Sequence, residues 1–88
     1  MEYNTVSEKT DGVERIYTYP TDFKVGNEYN LVMIVTNEKY SYEASVLLKK
    51  GWSLIDLKEI INTTLNQSDS MVIKINSTFK NVKNEKLN

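Results

Sequence analysis

The sequence predicts a small α+β domain in which a mainly antiparallel sheet of about four strands carries one helix on one face. Segments that are rich in β-branched residues, or that alternate apolar with polar residues, recur along the chain as strands require. One further segment repeats its apolar residues at helical spacing. With 88 residues the chain is long enough for one core, so we expect a single domain over residues 1–88.

The N-terminal third is expected to hold a flexible lead, one strand and a loop. Residues 1–12 are polar and end in an Asp-Gly turn pair, which predicts a flexible segment. Residues 13–19 (VERIYTY) alternate in type and predict a strand that ends at Pro20. Residues 20–28 contain a Thr-Asp and a Gly-Asn pair and are interpreted as a loop.

The middle of the chain predicts a β-hairpin. Residues 29–36 (YNLVMIVT) are rich in β-branched residues, and residues 40–48 (YSYEASVLL) alternate apolar with polar side chains. A four-residue loop, 36–39, pairs Val35 with Tyr40. A three-residue loop would shift the pairing by one residue and exchange the two faces of the strand.

The four-residue loop therefore decides which side chains reach the core. Under it, Met33 packs beneath the helix and Ile34 faces away from it. The three-residue loop gives the reverse arrangement. Either register leaves apolar side chains of this strand opposite the helix.

The helix is predicted over residues 54–67. Ser53 is a typical N-cap residue, and Asp56, three positions later, completes a short capping box. Trp52 and Leu57 are spaced for a hydrophobic staple. The apolar stripe that faces the sheet consists of Leu54, Leu57, Ile60, Ile61 and Leu65.

Residues 71–79 (MVIKINSTF) predict the last strand. A right-handed strand–helix–strand crossover runs it parallel to 40–48 and places it beside 29–36, on the side away from 40–48. Residues 80–88 are rich in Lys and are expected to be a flexible tail. The side chains expected to face the core are Met71, Ile73, Ile75 and Phe79.

The composition excludes several classes of chemistry. The chain has no Cys and no His, which excludes disulfides, thiolate nucleophiles and histidine acid–base catalysis. Its three Gly residues are isolated and form no phosphate-binding loop. No pair of carboxylates stands out as an acid–base dyad. We therefore expect no catalytic residues, no metal, no cofactor, and a protein that is not an enzyme.

One helix can cover only one face of the sheet, so the other face keeps apolar side chains that the helix does not bury. We expect that face, with the hairpin loop, to bind a partner protein or a second copy in a homodimer. The alternative is that residues 13–28 fold over it. The surface would comprise Val32, Ile34, Leu47 and Val72 from the face and Asn37, Glu38 and Lys39 from the loop.

Two other functions are open at this point. Strand tyrosines could stack the bases of single-stranded nucleic acid, but the net charge of −1 and the lack of a basic stripe argue against it. A nucleotide could also be sequestered in a pocket between the subunits of an oligomer. The tyrosines of the nucleic-acid hypothesis are Tyr17, Tyr19, Tyr40 and Tyr42.

The longest uninterrupted apolar run, Leu31–Val35, is far shorter than the roughly 20 residues of a membrane span. The N-terminus lacks the basic and apolar regions of a signal peptide, so we expect a cytoplasmic protein without membrane contact. Lys far outnumbers Arg and Ala occurs once, a bias typical of low-GC genomes. The favoured interpretation is a small phage- or mobile-element-encoded inhibitor that binds and blocks a host protein.

Overall fold

The computed structural model describes residues 2–82, and the predicted α+β class is confirmed. Five strands form one sheet in the order β1-β2-β5-β3-β4, with α1 packed on one face. The pair β2–β5 is parallel and the other three pairs are antiparallel. The elements are β1 (Tyr3–Thr10), β2 (Val13–Pro20), β3 (Tyr29–Asn37), β4 (Ser41–Leu48), α1 (Leu54–Asn66) and β5 (Val72–Asn81).

Strand β1 corrects the expectation that residues 1–12 form a flexible lead. Asp11 and Gly12 have φ values of 53° and 79° and connect Thr10 directly to its cross-strand partner Val13. Positive φ at both loop residues is the signature of a type I′ hairpin turn. Every residue of β1 is exposed, so the strand has no buried face to produce a hydrophobic pattern. Its pairing with β2 rests on backbone hydrogen bonds and on the Asp-Gly turn.

The last strand lies where the crossover predicts it. Strand β5 pairs antiparallel with β3, on the side away from β4. Its later part extends through Asn81, so residues 80 and 81 are not part of a flexible tail. Residue 82 follows the strand directly and is half-buried, and the remaining residues of the predicted tail, 83–88, lie outside the described residues.

The hairpin β3–β4 has the predicted faces but a different register. Val35 pairs with Tyr42 rather than with Tyr40, and the loop runs over residues 37–40. A shift of two residues preserves the alternation of a strand. Met33 is therefore fully buried beneath α1, as predicted, while Ile34 is 39% exposed on the opposite face.

An irregularity at the start of β5 corrects the assignments made there. Lys74 pairs with Thr36, but Val72 already pairs with Asn37, so the partner strand has no residue opposite Ile73. Such a β-bulge reverses the alternation of inward and outward side chains. Val72 is consequently buried in the core at 8% exposure, whereas Met71 and Ile73 are exposed. From Ile75 onward the predicted orientation is correct.

The segment between β2 and β3 packs on the helix side of the sheet. Phe23 lies against Tyr29 and Phe79, with ring centroids 5.0 and 4.8 Å apart. Strand β2 itself extends the sheet sideways. The alternative in which residues 13–28 cover the second face is therefore wrong.

Helix α1 begins as the sequence predicts. The Ser53 hydroxyl accepts a hydrogen bond from the Asp56 amide at 3.3 Å, and an Asp56 carboxylate oxygen accepts one from the Ser53 amide at 2.9 Å. These two reciprocal bonds form a capping box. Trp52, the residue before the cap, is buried in the core, as the packing interpretation of this side chain requires.

Removing this cap should have a measurable cost. Ser53→Ala should lower the free energy of unfolding by about 1 kcal/mol, because the Asp56 amide loses its acceptor. Ser53→Thr, which keeps a hydroxyl acceptor, is the matched control and should lose less. Urea unfolding followed by circular dichroism measures both. An unchanged midpoint for Ser53→Ala would show that the cap does not contribute to stability.

Candidate functional site

The side of the sheet opposite α1, called the open face below, carries partly exposed apolar side chains on β2, β3 and β4. Within residues 2–82 no helix or strand packs on it. Ile34 is 39% exposed there and Leu47 is 46% exposed, while Val32 is half-buried. The pairing register also adds Ile16 of β2, which the sequence did not single out. The apolar members of the open face are Ile16, Val32, Ile34 and Leu47.

Polar side chains are interspersed among these apolar residues. Ile34 lies between Asn76 of β5 and Glu43 of β4, and Val32 lies between Thr78 and Ser45. Ile16 also pairs with Asn76, so two isoleucines flank one asparagine across three strands, about 10 Å apart. The middle strand β5 presents polar side chains on this face, so the apolar residues form a mixed surface with them.

The charges on the open face are of both signs. Lys9 pairs with Glu14, and Glu14 pairs with Lys74 in the next strand. Glu43 adds a negative charge beside Ile34. A surface that binds a phosphate backbone needs a basic stripe, and alternating signs do not provide one.

The tyrosines proposed for base stacking do not form a platform. Tyr17, Tyr19 and Tyr42 are partly buried and pack against the core on the helix side. Tyr40 lies in the hairpin loop and is exposed. The four side chains are not presented together on a free sheet surface, which is a correction of that hypothesis. Alternation along β2 and β4 places these tyrosines on the face that α1 covers.

The hairpin loop is built around Asn37, which is buried. Its side-chain oxygen accepts hydrogen bonds from the amides of Lys39 and Tyr40, both at 2.8 Å. Its amide nitrogen donates to the Ser68 hydroxyl at 3.0 Å. Asn37 therefore holds the loop in shape and is withdrawn from the partner-binding surface. Glu38 and Lys39 remain exposed at the tip.

Tyr40 links this loop to the segment after α1. Its hydroxyl donates a hydrogen bond to an Asp69 carboxylate oxygen at 3.0 Å. This bond, followed by partial desolvation and the negative charge of Asp69, raises the pKa of Tyr40 above its usual range.

Asp69→Asn should therefore move the pKa of Tyr40 back toward its ordinary value, because the charged acceptor is lost. Titration of ¹³C-labelled tyrosine rings by NMR measures this pKa directly. Asp22→Asn, which changes a carboxylate elsewhere on the surface, is the control and should leave the pKa of Tyr40 unchanged. A pKa of Tyr40 that does not respond to Asp69→Asn would contradict the hydrogen bond.

Two grooves flank α1 on the other side of the sheet. One lies above the β1–β2 hairpin with a volume of about 460 Å³, and the other lies above β4 with about 560 Å³. In the first groove Arg15, the chain's single arginine, has a buried Nε with no hydrogen-bond partner among the described residues. The sequence analysis did not identify either groove. The sequence did contain one indication of the first groove, because Arg15 alternates along β2 with side chains that face the helix.

No group of three or more His, Cys, Asp or Glu side chains in residues 2–82 is placed to share a metal ion. No helix in that range combines the length and the apolar character that a membrane crossing requires.

Comparison with models of known protein families, with curated proteins and with solved structures finds no match for this chain.

Proposed function

We propose that this chain is a small non-enzymatic interaction protein, encoded by a phage or mobile element, that binds and blocks a host protein through its open face. The observation that supports this proposal best is the position of Val32, Ile34 and Leu47 on a face that no described element covers. Burying a fully exposed side chain of this type gains about 1.5–3 kcal/mol, and a partner that covers the remaining exposed part of these residues gains a fraction of that for each.

The arrangement of the open face favours a protein over a nucleic acid. Its apolar side chains alternate with Thr, Ser and Asn side chains, which can form hydrogen bonds with a protein partner. Charges of both signs and the net charge of −1 do not attract a polyanion.

The exposed tip of the hairpin loop extends this surface. Thr36 and Ser41 are the last pair of β3 and β4 on the open face, with their hydroxyl oxygens 2.9 Å apart. Glu38 and Lys39 follow directly at the tip and supply one charge of each sign. We include both in the proposed contact with the partner. Their charges would contribute to specificity for the partner more than to the affinity.

A paired substitution tests the proposed surface. Ile34→Lys with Leu47→Glu should leave the chain folded, because neither side chain packs beneath α1. It should abolish capture of the partner, because two apolar contacts are lost and both new polar side chains, the lysine beside Glu43 included, would have to be desolvated in the interface. Ile55→Lys, which introduces a lysine at an exposed position on the helix, is the control and should leave capture intact.

The measurement compares the proteins that the wild type and the two variants retain from a lysate of host cells, with circular dichroism to verify folding. A partner retained by the wild type and by Ile55→Lys, and lost with the paired substitution, supports the proposal. Equal retention by a folded double variant would remove the open face from the contact and leave the loop tip as the remaining surface.

We infer one second candidate, a site for a small anion such as a nucleotide in the groove above the β1–β2 hairpin. The unpartnered Nε of Arg15 favours it, and Lys58 lines the same groove, together with the carboxylates of Glu8 and Asp11. A volume of about 460 Å³ is within the range of small-molecule sites. A nucleotide that raises the melting temperature of the wild type but not of Arg15→Gln would support this candidate, and no shift with any nucleotide would exclude it.

A further inference from the structure

Strand β4 forms one outer edge of the sheet along its whole length. All eight of its residues pair with β3, and no other strand within residues 2–82 pairs with its outer side. An unpaired edge presents a row of backbone N–H and C=O groups, and another extended strand is the partner that satisfies them.

The hairpin loop shows which backbone groups point outward. The Asn37 amide donates to the Tyr40 carbonyl at 2.9 Å, so residues 37 and 40 face each other as a hydrogen-bonded pair. In an antiparallel pair these positions alternate with positions whose backbone groups point away from the partner. The residues of β4 that point their N–H and C=O groups outward are therefore Ser41, Glu43, Ser45 and Leu47, and all four are exposed.

This edge lacks the features by which natural sheets prevent pairing. It contains no Pro and no Lys, its register with β3 has no bulge, and Glu43 is its only charge. The opposite edge, β1, carries the adjacent charges Glu8 and Lys9. A long edge with so little charge pairs readily with another strand, and in the absence of a partner it promotes aggregation.

We propose that β4 pairs antiparallel with β4 of a second copy of this chain, with Ala44 on the two-fold axis, to form a continuous ten-stranded sheet. The sequence of the edge disfavours the two adjacent registers. A register centred on Glu43 would place two carboxylates opposite each other, which is destabilising. A register centred on Ser45 would place Glu43 opposite Leu47.

The Ala44 register avoids both conflicts. It places Glu43 opposite Ser45, and it places Tyr42 opposite Val46 twice, an aromatic–β-branched pair that stabilises sheets. The two Ala44 residues meet where the strands approach most closely, a position that suits a small side chain. The four outward residues of each copy then exchange eight backbone hydrogen bonds, two for each facing pair.

This pairing uses the edge of the sheet and leaves the open face uncovered. The open faces of the two copies become one surface of doubled width. The inference is thus independent of the proposed function, and Ile34→Lys should change partner capture without changing the oligomeric state.

Proline at an outward position tests the pairing. Ser45→Pro removes an N–H that points away from β3, so the β3–β4 ladder keeps its hydrogen bonds while a second strand is blocked. The matched control is Ser7→Pro, because Ser7 occupies an equivalent outward position on the opposite edge, β1. Sedimentation velocity over a series of concentrations should show dimers for the wild type and for Ser7→Pro, and monomers for Ser45→Pro.

Charge substitutions at Ser45 test the register and do not depend on proline. Ser45→Lys would face Glu43 of the second copy twice and should tighten the dimer about three- to tenfold, whereas Ser45→Glu should weaken it by a similar factor. A wild type that stays monomeric at all concentrations overturns the proposal. So does a folded Ser45→Pro variant that remains dimeric, and equal dimer affinities for the two charge variants overturn the register.

Discussion

Met33→Asp should leave the chain unfolded, whereas Ile34→Asp, one residue further along the same strand, should leave it folded. Met33 has no exposed surface and lies in the core between β3 and α1. A carboxylate there would be buried without a partner, at a cost of several kcal/mol. A domain of this size has a total stability of only about 5 kcal/mol, so one such charge is sufficient to unfold it.

Ile34 supplies the control within the same strand. Its side chain is 39% exposed on the open face, so an aspartate there stays hydrated. Far-UV circular dichroism and the dispersion of amide signals in NMR spectra distinguish the two outcomes. A folded Met33→Asp variant together with an unfolded Ile34→Asp variant would mean that the faces of β3 are exchanged.

Phe79→Ala should have the second largest effect, because Phe79 is the centre of an aromatic cluster at one end of the core. Its ring lies 4.8 Å from that of Phe23 and 6.2 Å from those of Tyr29 and Trp52, measured between centroids. Trp52 is also fixed by a hydrogen bond from its indole N–H to the carbonyl of Asn27. The cluster thus joins β5, the loop before β3 and the start of α1.

Removing this ring should lower the free energy of unfolding by about 3–5 kcal/mol, since it leaves a cavity among the rings of Phe23, Tyr29 and Trp52. Phe79→Leu fills most of the volume and should lose clearly less. Urea unfolding monitored by Trp52 fluorescence measures both variants, because the indole contacts the altered ring. A loss below about 1 kcal/mol for Phe79→Ala would show that the cluster contributes little to the core.

The elements that bury one face were predictable from the sequence. The hairpin and α1 carry strong hydrophobic periodicity, and Ser53 with Asp56 defines the start of the helix. The four-residue loop correctly predicted which side chains of β3 face the helix, although the predicted register was wrong by two residues. The buried side chain of Asn37 explains that difference, because it organises the loop around the amides of Lys39 and Tyr40.

The missed elements share a physical reason, which is that no buried periodicity marks them. Strand β1 is exposed on both faces and depends on the Asp11-Gly12 turn. The irregularity near Ile73 breaks the alternation of β5 without a Gly or Pro to signal it. Phe23 reaches the core from a loop, where pattern analysis assigns no inward direction.

The same distinction applies to the candidate site. Val32, Ile34 and Leu47 lie on the open face, as predicted. Their orientation depends only on the regular alternation of side chains along β3 and β4, which a shift of two residues preserves. Val72 does not lie there, because the bulge moves it into the core. Ile16 was missed because its place on the open face depends on the parallel pairing of β2 with β5, which no local pattern encodes.

The most direct test of the open face uses the absence of cysteine from this chain, which allows a single thiol to report on one position. Ile34→Cys should react rapidly with a thiol reagent in the free protein, and Met33→Cys, beneath the helix, should react slowly. Ile55→Cys on the exposed surface of α1 serves as the control. In the complex with the captured partner, labelling of Ile34→Cys should slow strongly while that of Ile55→Cys stays fast. Unchanged labelling of Ile34→Cys in that complex would contradict the proposal that the open face is the binding surface.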